Sequence, residues 1–384
     1  MKRLYLDHNA STPLRPEVRE RLAAEQERLY ANPSSVHASG RAARAAIDEA
    51  RQRVAQALGV HEDEVLFTSG GTESDNLALL GALRAAGPSA GLLTSAIEHS
   101  AVLESARAAA NEGHALELVP VDAHGRIDPA LVLARVRRLR PRLVSIQAAN
   151  NEVGSLGPLQ EIGAGLAELG SARPHFHADA AQALGRVELD LRRDGLDLAS
   201  FSAHKLGGPR GVGVLYKRKG IELRPLLYGG GQEQGLRAGT EDAAAILAAA
   251  LAIELAVAER EAHARRMHEL CLLCWQQVQR VWPGARVHGP APRDPQRLCN
   301  TLNLGLPGAD GRVLVARLDL EGLEVSAGSA CASGSLEPSH VLLAMGLAPD
   351  EARAGVRISF GRGNGARDVD AAVEILGRVF SSLR

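Results

Sequence analysis

The chain is short of aromatic residues, cysteine, lysine and net charge. Phenylalanine, tyrosine and tryptophan make up 3% of 384 residues, so a planar stacking face must often come from another ring, such as histidine. Four cysteines in a chain of this length, with no apolar leader in MKRLYLDHNA, exclude a disulfide scaffold. They lead us to expect free thiols in a reducing compartment, the cytoplasm. A net charge of -1 leaves no basic field to attract nucleic acid or an anionic membrane surface. The most apolar run, AAAILAAALAIELAVA at 243–258, contains Glu254 and falls short of the roughly 20 residues of a membrane span. It reads as a buried helix. Lysine occurs only at Lys2, Lys205, Lys217 and Lys219 among 44 basic residues. Arginine replaces lysine on a surface but does not lose its proton to become a nucleophilic amine. A lysine kept in an apolar segment therefore asks for a chemical reason.

What is present is ordinary for a large globular protein: 45% hydrophobic and 23% charged residues. Helices are expected at 13–30 and at 38–58, the second ended by Gly59. The segments EVLFTS, GLLTSAI, LELVPV, LVSIQAA, HFHAD, LDLASFSA and VGVLYKR read as strands, and most are separated by helical patterns. That alternation predicts an α/β fold with a large, mostly parallel sheet covered on both faces. From Thr240 a helical region runs to about 281, and CNTLNLGL, LEVSAG and GVRISFG then read as strands of a smaller α+β unit. The expected division is 14–255 for the large domain and 1–13 with 256–384 for the small one.

Three constellations carry chemistry. In TSGGTESDN, 68–76, a strand ends in Gly70 and Gly71 and a helix opens at Thr72 or Glu73. A helix N-terminus with bare amides and a hydroxyl suits a phosphate, although a glycine turn with a threonine cap has the same look. In HADAAQ, 177–182, Asp179 sits at the carboxyl end of a strand, where open α/β sheets bind ligands. It is a partner for a ring nitrogen or, alternatively, a helix cap. The spacing of His175, His177 and Asp179 is that of one strand face, without a further ligand cluster, and we expect no metal. In SFSAHKLGGPRGVG, 200–213, Lys205 lies between apolar segments, and desolvation lowers the pKa of such an amine. A phosphate cradle, a carboxylate for a pyridine nitrogen and a buried amine are the parts of a pyridoxal phosphate site.

These motifs, with YLDHNASTP, NPSSVH, IEHSAVL, NNEVG, GGGQEQGLRAGT, SAGSACASGSLEPSHVL and VRISFGR, appear in an order that resembles the cysteine desulfurases over essentially the whole chain. These are the NifS/IscS-like branch of the aspartate aminotransferase superfamily, class V, fold type I. The resemblance implies release of sulfur from L-cysteine, giving L-alanine and a protein persulfide for an acceptor in iron–sulfur cluster, thio-cofactor or tRNA biosynthesis. It implies that Lys205 bonds the aldehyde of pyridoxal 5'-phosphate and that Asp179 faces the pyridine nitrogen. Gln182 would face the ring hydroxyl, and His99 would stack on the ring and exchange protons. Gly71, Thr72, Ser202 and His204 would hold the phosphate. Thr240 would reach it from the partner subunit, which implies a homodimer. Asn151 and Arg357 would hold the substrate, Arg357 through a bidentate grip on its carboxylate.

By the same resemblance the nucleophile is Cys331, in SAGSACASGS. Gly328 and Gly334 lower the cost of moving a thiol that must collect sulfur and then deliver it. The reactive form is the thiolate, so a base near the cofactor has to help, with His99 a candidate. Ala327, Ala332, Gln234 and Ala238 depart from residues common in the family. Selenocysteine lyase, a sulfinate-cleaving relative and a non-catalytic sulfur-trafficking subunit are the rival readings. The polar loop around Cys331 disfavours the first two, and the intact set of Lys205, Asp179, Gln182 and His99 disfavours the third. Cys271 and Cys274 form a C-x-x-C pair at helical spacing and read as core, as does Cys299.

Overall fold

In chain order the elements of the computed structural model are β1 (Leu4–Tyr5), α1 (Pro16–Arg28), α2 (Ala38–Leu58), β2 (Val65–Thr68), α3 (Gly71–Ala86), β3 (Gly91–Ser95), α4 (Ser100–Asn111) and β4 (Ala115–Val119). There follow α5 (Pro129–Leu139), β5 (Leu143–Ser145), α6 (Leu159–Ala167), β6 (His175–Asp179), β7 (Leu198–Ser202), β8 (Gly213–Lys217), α7 (Ala243–Ala258) and α8 (Arg260–Val281). The last are β9 (Arg286–His288), β10 (Thr301–Gly305), α9 (Gly311–Leu320), β11 (Leu323–Glu324), α10 (His340–Ala344), α11 (Pro349–Arg353), β12 (Gly355–Ser359) and α12 (Ala366–Ser381). The structure describes residues 3–306, 310–328 and 337–381. Cys331, Ala332 and Gly334 lie outside them.

Seven strands form one sheet in the order β2-β8-β7-β6-β5-β3-β4. β4, β3, β5, β6 and β7 run parallel, and β8 runs antiparallel to both β7 and β2. β2, β5 and β7 are buried along their whole length, as a sheet covered on both faces requires. A second sheet, β12-β10-β9, is antiparallel, and β1 pairs with β11 alongside it.

The apolar run at 243–258 is α7, apolar except for Glu254, which pairs with Arg53, and buried against α1 and α2. Its many alanines face Ala43, Ala46, Ile47 and Ala50 of α2, and small side chains let the two backbones come close. Truncating fully buried Ile47 there would cost about 2–5 kcal/mol. No helix among the described residues is long and apolar enough to cross a membrane. Cys271, Cys274 and Cys299 sit with Met267, Leu302 and Phe360 in a second core cluster, and burial pushes the Cys274 thiol up to about 12 and that of Cys299 to about 11.

Two expectations need correction. The helical region from Thr240 to about 281 is two helices, broken at Glu259, whose carboxylate pairs with Arg15 at 3.2 Å and Arg362 at 2.8 Å. The LEVSAG segment gives a strand of only two residues, because β11 has a single short neighbour, β1.

Candidate active site

The carboxyl ends of β3, β5, β6 and β7 point to one side of the sheet, and the loops that leave them line a cleft of about 440 Å³. His99 follows β3, Gln147 and Asn151 follow β5, and Asp179 ends β6. Ser202 ends β7, with His204 and Lys205 in the turn after it. Gly71 and Thr72 open α3 on the same cleft, and Gln182 and Arg357 complete it. Ten residues expected from the sequence are thus brought together. Thr240 is exposed, just ahead of α7, and does not line this cleft. Cys331 lies outside the described residues.

The α3 N-terminus has no side-chain cap, since Gly70 occupies that position. Its first amides are therefore donors for an anion, and the helix dipole adds to them. Gly213 makes this turn possible: a Cβ on it would stand 2.4 Å from the Gly70 carbonyl carbon. Ser202 reaches the same place, within ordinary contact of a Cβ built on Gly71. Burial and the neighbouring Lys205 and Arg210 bring His204 down to about 4, so its ring is neutral, and its Nδ1 meets Ser11 Oγ at 3.1 Å.

Lys205 Nζ donates to the carbonyls of Ala10, at 2.9 Å, and Asn9. Asn9 is a hub that sequence reasoning left unassigned. Its carbonyl also accepts from Gln182 Nε2 at 3.0 Å, and its side chain donates to Thr301 Oγ1 and to the Asn151 carbonyl. The segment after β1 thereby ties the amine to the second sheet. Arg186, also unassigned, is buried and donates to Gln182 Oε1 and the Lys205 carbonyl, holding both ends of this group. Its signal was its place four residues after Gln182.

Asp179 Oδ1 accepts the Ala181 amide at 2.9 Å, the turn that aims its carboxylate. Ligand atoms of Asp75, His99 and Asp179 lie within 4.8 Å of one another. Burial, and after it the nearby Asp179, raise the Asp75 carboxyl well above the usual carboxylate range. His177 lies beneath them, its two nitrogens meeting Ser145 Oγ at 2.8 Å and Ser200 Oγ at 3.0 Å. Burial brings it down to about 3, and it is neutral. His99 Nδ1 accepts the Ala101 amide at 3.1 Å as the N-cap of α4, which places the proton of its neutral ring on Nε2. Arg357 is 1% exposed; it pairs with Asp7 at 2.6 Å and donates to the Asn151 carbonyl at 3.2 Å, and its Nε has no partner.

The class V aminotransferase family model matches residues 4–372. A cysteine desulfurase IscS of Dictyoglomus turgidum is 41% identical over all of this chain and 96% of its own length. A solved NifS-like protein has a TM-score of 0.90 at 35% identity, covering 99% of this chain and all of its own. A second solved structure, SspA in complex with cysteine, has a TM-score of 0.80 at 33% identity, over 93% of this chain and 98% of its own. Class V aminotransferases depend on pyridoxal phosphate and share the α/β architecture of fold type I, with the mixed sheet described above. With matches that run from end to end, the chain belongs to the cysteine desulfurases of the class V aminotransferase family.

Proposed function

We propose that the chain is a pyridoxal phosphate-dependent desulfurase that takes sulfur from L-cysteine, releases L-alanine and leaves a persulfide on Cys331. The convergence of Lys205, Asp179, His99, Thr72, Ser202 and His204 on one cleft carries this reading. When bound, the cofactor supplies an electron sink that weakens the bond from the substrate Cβ to sulfur. The first amides of α3, with Thr72, Ser202 and neutral His204, would hold the phosphate. Asp179 would pair with the ring nitrogen and Gln182 with the ring hydroxyl. His99 would lie against the ring and offer its Nε2 proton. Arg357 and Asn151 bind the substrate carboxylate, and Lys205 moves a proton at the substrate carbons.

Cys331 attacks the substrate sulfur as a thiolate. A sulfur–sulfur bond forms, the carbon–sulfur bond breaks, and Cβ keeps the electron pair and takes a proton. Cysteine and one thiol become alanine and one persulfide, with no outside oxidant. The other three cysteines are buried with their thiols pushed up, so none of them is a nucleophile at neutral pH. The cysteine-bound relative supports this substrate.

A homodimer in which Thr240 serves the partner's cleft, a cytoplasmic setting and a sulfur acceptor in cluster, thio-cofactor or tRNA assembly belong to the same reading. So does the division at 255, supported by the separate core around Leu302 and Phe360. Replacing Lys205 by Ala tests the cleft. The visible absorption of the bound aldehyde and alanine release should both vanish; retention of both would refute the assignment.

A further inference from the structure

A second cavity, of about 550 Å³, shares Lys205 with the cleft but lies outside it. Its walls come from the N-terminal segment, the turn at 184–186, the start of α8 and residues 360–368. The volume is that of a small-molecule site. Leu206 and Phe360 give it an apolar wall; Arg186 lines it as a cation, and Arg15 and Arg362, which share the Glu259 carboxylate, line it too. Asp368 is the only carboxylate in the lining, and it is engaged by the Gly365 amide at 2.9 Å.

Arg186 is the telling residue. It is 5% exposed, and its hydrogen bonds go to uncharged oxygens, of Gln182 and Lys205. No carboxylate among the described residues pairs with it. Burial lowers it only to about 10, so it stays charged at neutral pH. A buried cation without a counter-charge is costly, and an anion entering the cavity would relieve that cost. His8, 6% exposed, lines the same cavity, with its Nδ1 packed against Gly361.

We propose that this cavity binds a small organic anion with an apolar body, a carboxylate or sulfonate, its charge toward Arg186 and its body against Leu206 and Phe360. Because Arg186 also holds Gln182 and the Lys205 carbonyl, such a ligand would bear on the residues that position Lys205.

The test uses the cofactor-loaded enzyme, anilinonaphthalene sulfonate as a fluorescent probe, and hexanoate as a competitor. Saturable binding of one probe per chain is expected, displaced by hexanoate but not by hexanol or acetate. Arg362→Glu, at the open rim, should weaken probe binding roughly fivefold. Ala256→Phe, which fills the cavity, should abolish it. Equal affinity in wild type and Arg362→Glu, displacement by hexanol as readily as by hexanoate, or no saturable binding would each overturn the proposal. Arg362 is half-exposed, so its variant decides the matter even if the cavity-filling variant does not fold.

Discussion

Single residues in this cleft are defined by what holds them rather than by what they are. Arg357 shows this. Its motif, VRISFGR, named it as the carboxylate grip, yet an arginine inside a strand has no mark of function in the sequence. The structure supplies one: it is almost fully buried, its charge is balanced by Asp7, and it faces the cleft. A substrate carboxylate held there, as proposed, would compete with Asp7 for the same fork of donors. Lysine at 357 keeps the charge but loses the planar pair of N–H groups. Losing one charged hydrogen bond of about 1.5–3 kcal/mol should raise KM for cysteine by roughly tenfold to a hundredfold. Steady-state kinetics on Arg357→Lys checks this, and an unchanged KM would remove Arg357 from the substrate site. Asn9 and Asp75 were illegible for a different reason. Asn9 acts through its backbone carbonyl, and any residue type has one. Asp75 lies on the second turn of a helix, and only its burial beside Asp179 pushes its carboxyl upward.

At the scale of elements, the sheet positions the site and two glycines set its precision. The strand-and-helix alternation was readable because buried strands are short apolar runs and the intervening helices have their own period. The antiparallel course of β8 was not, since direction leaves no trace in a strand's composition. That course brings Gly213 against Gly70 at the mouth of α3. Alanine at 213 would force the turn and the first amides of α3 to shift. Overpacking of this kind costs about 1–3 kcal/mol. We expect Gly213→Ala to lower the urea midpoint and to weaken cofactor affinity more than it lowers turnover of the loaded enzyme. Unaltered cofactor affinity would mean that this turn does not shape the phosphate site. The break between α7 and α8 was hidden for a related reason: Glu259 is a good helix former, and its pairing with Arg15 and Arg362 comes from distant parts of the chain.

For the whole molecule, buried ionisable groups set an optimum of stability. Burial, with Arg186 nearby for two of them, holds His8, His177, His204 and His263 down to about 4, about 3, about 4 and about 4. Unfolded imidazoles take protons near 6.5, so unfolding takes up protons below that pH and stability falls on acidification. Glu98 has the opposite sign. Burial raises it to about 8 from 4.5, so the native state keeps a proton that the unfolded chain releases, and stability falls as pH rises through this window. Asp75 acts in the same direction as Glu98. Four imidazoles outweigh two carboxyls on the acid side, and only the carboxyls act above it. Urea midpoints should therefore peak at about pH 6.5, and Glu98→Gln should flatten the alkaline limb; a midpoint that rises steadily to pH 8 would contradict this. The loaded enzyme, given one equivalent of L-cysteine, should be digested and its peptides weighed. The account predicts one added sulfur atom on the Cys331 peptide, matched by one alanine, and neither in Cys331→Ser. Added sulfur on Cys271, Cys274 or Cys299 instead, or undiminished alanine from Cys331→Ser, would contradict it.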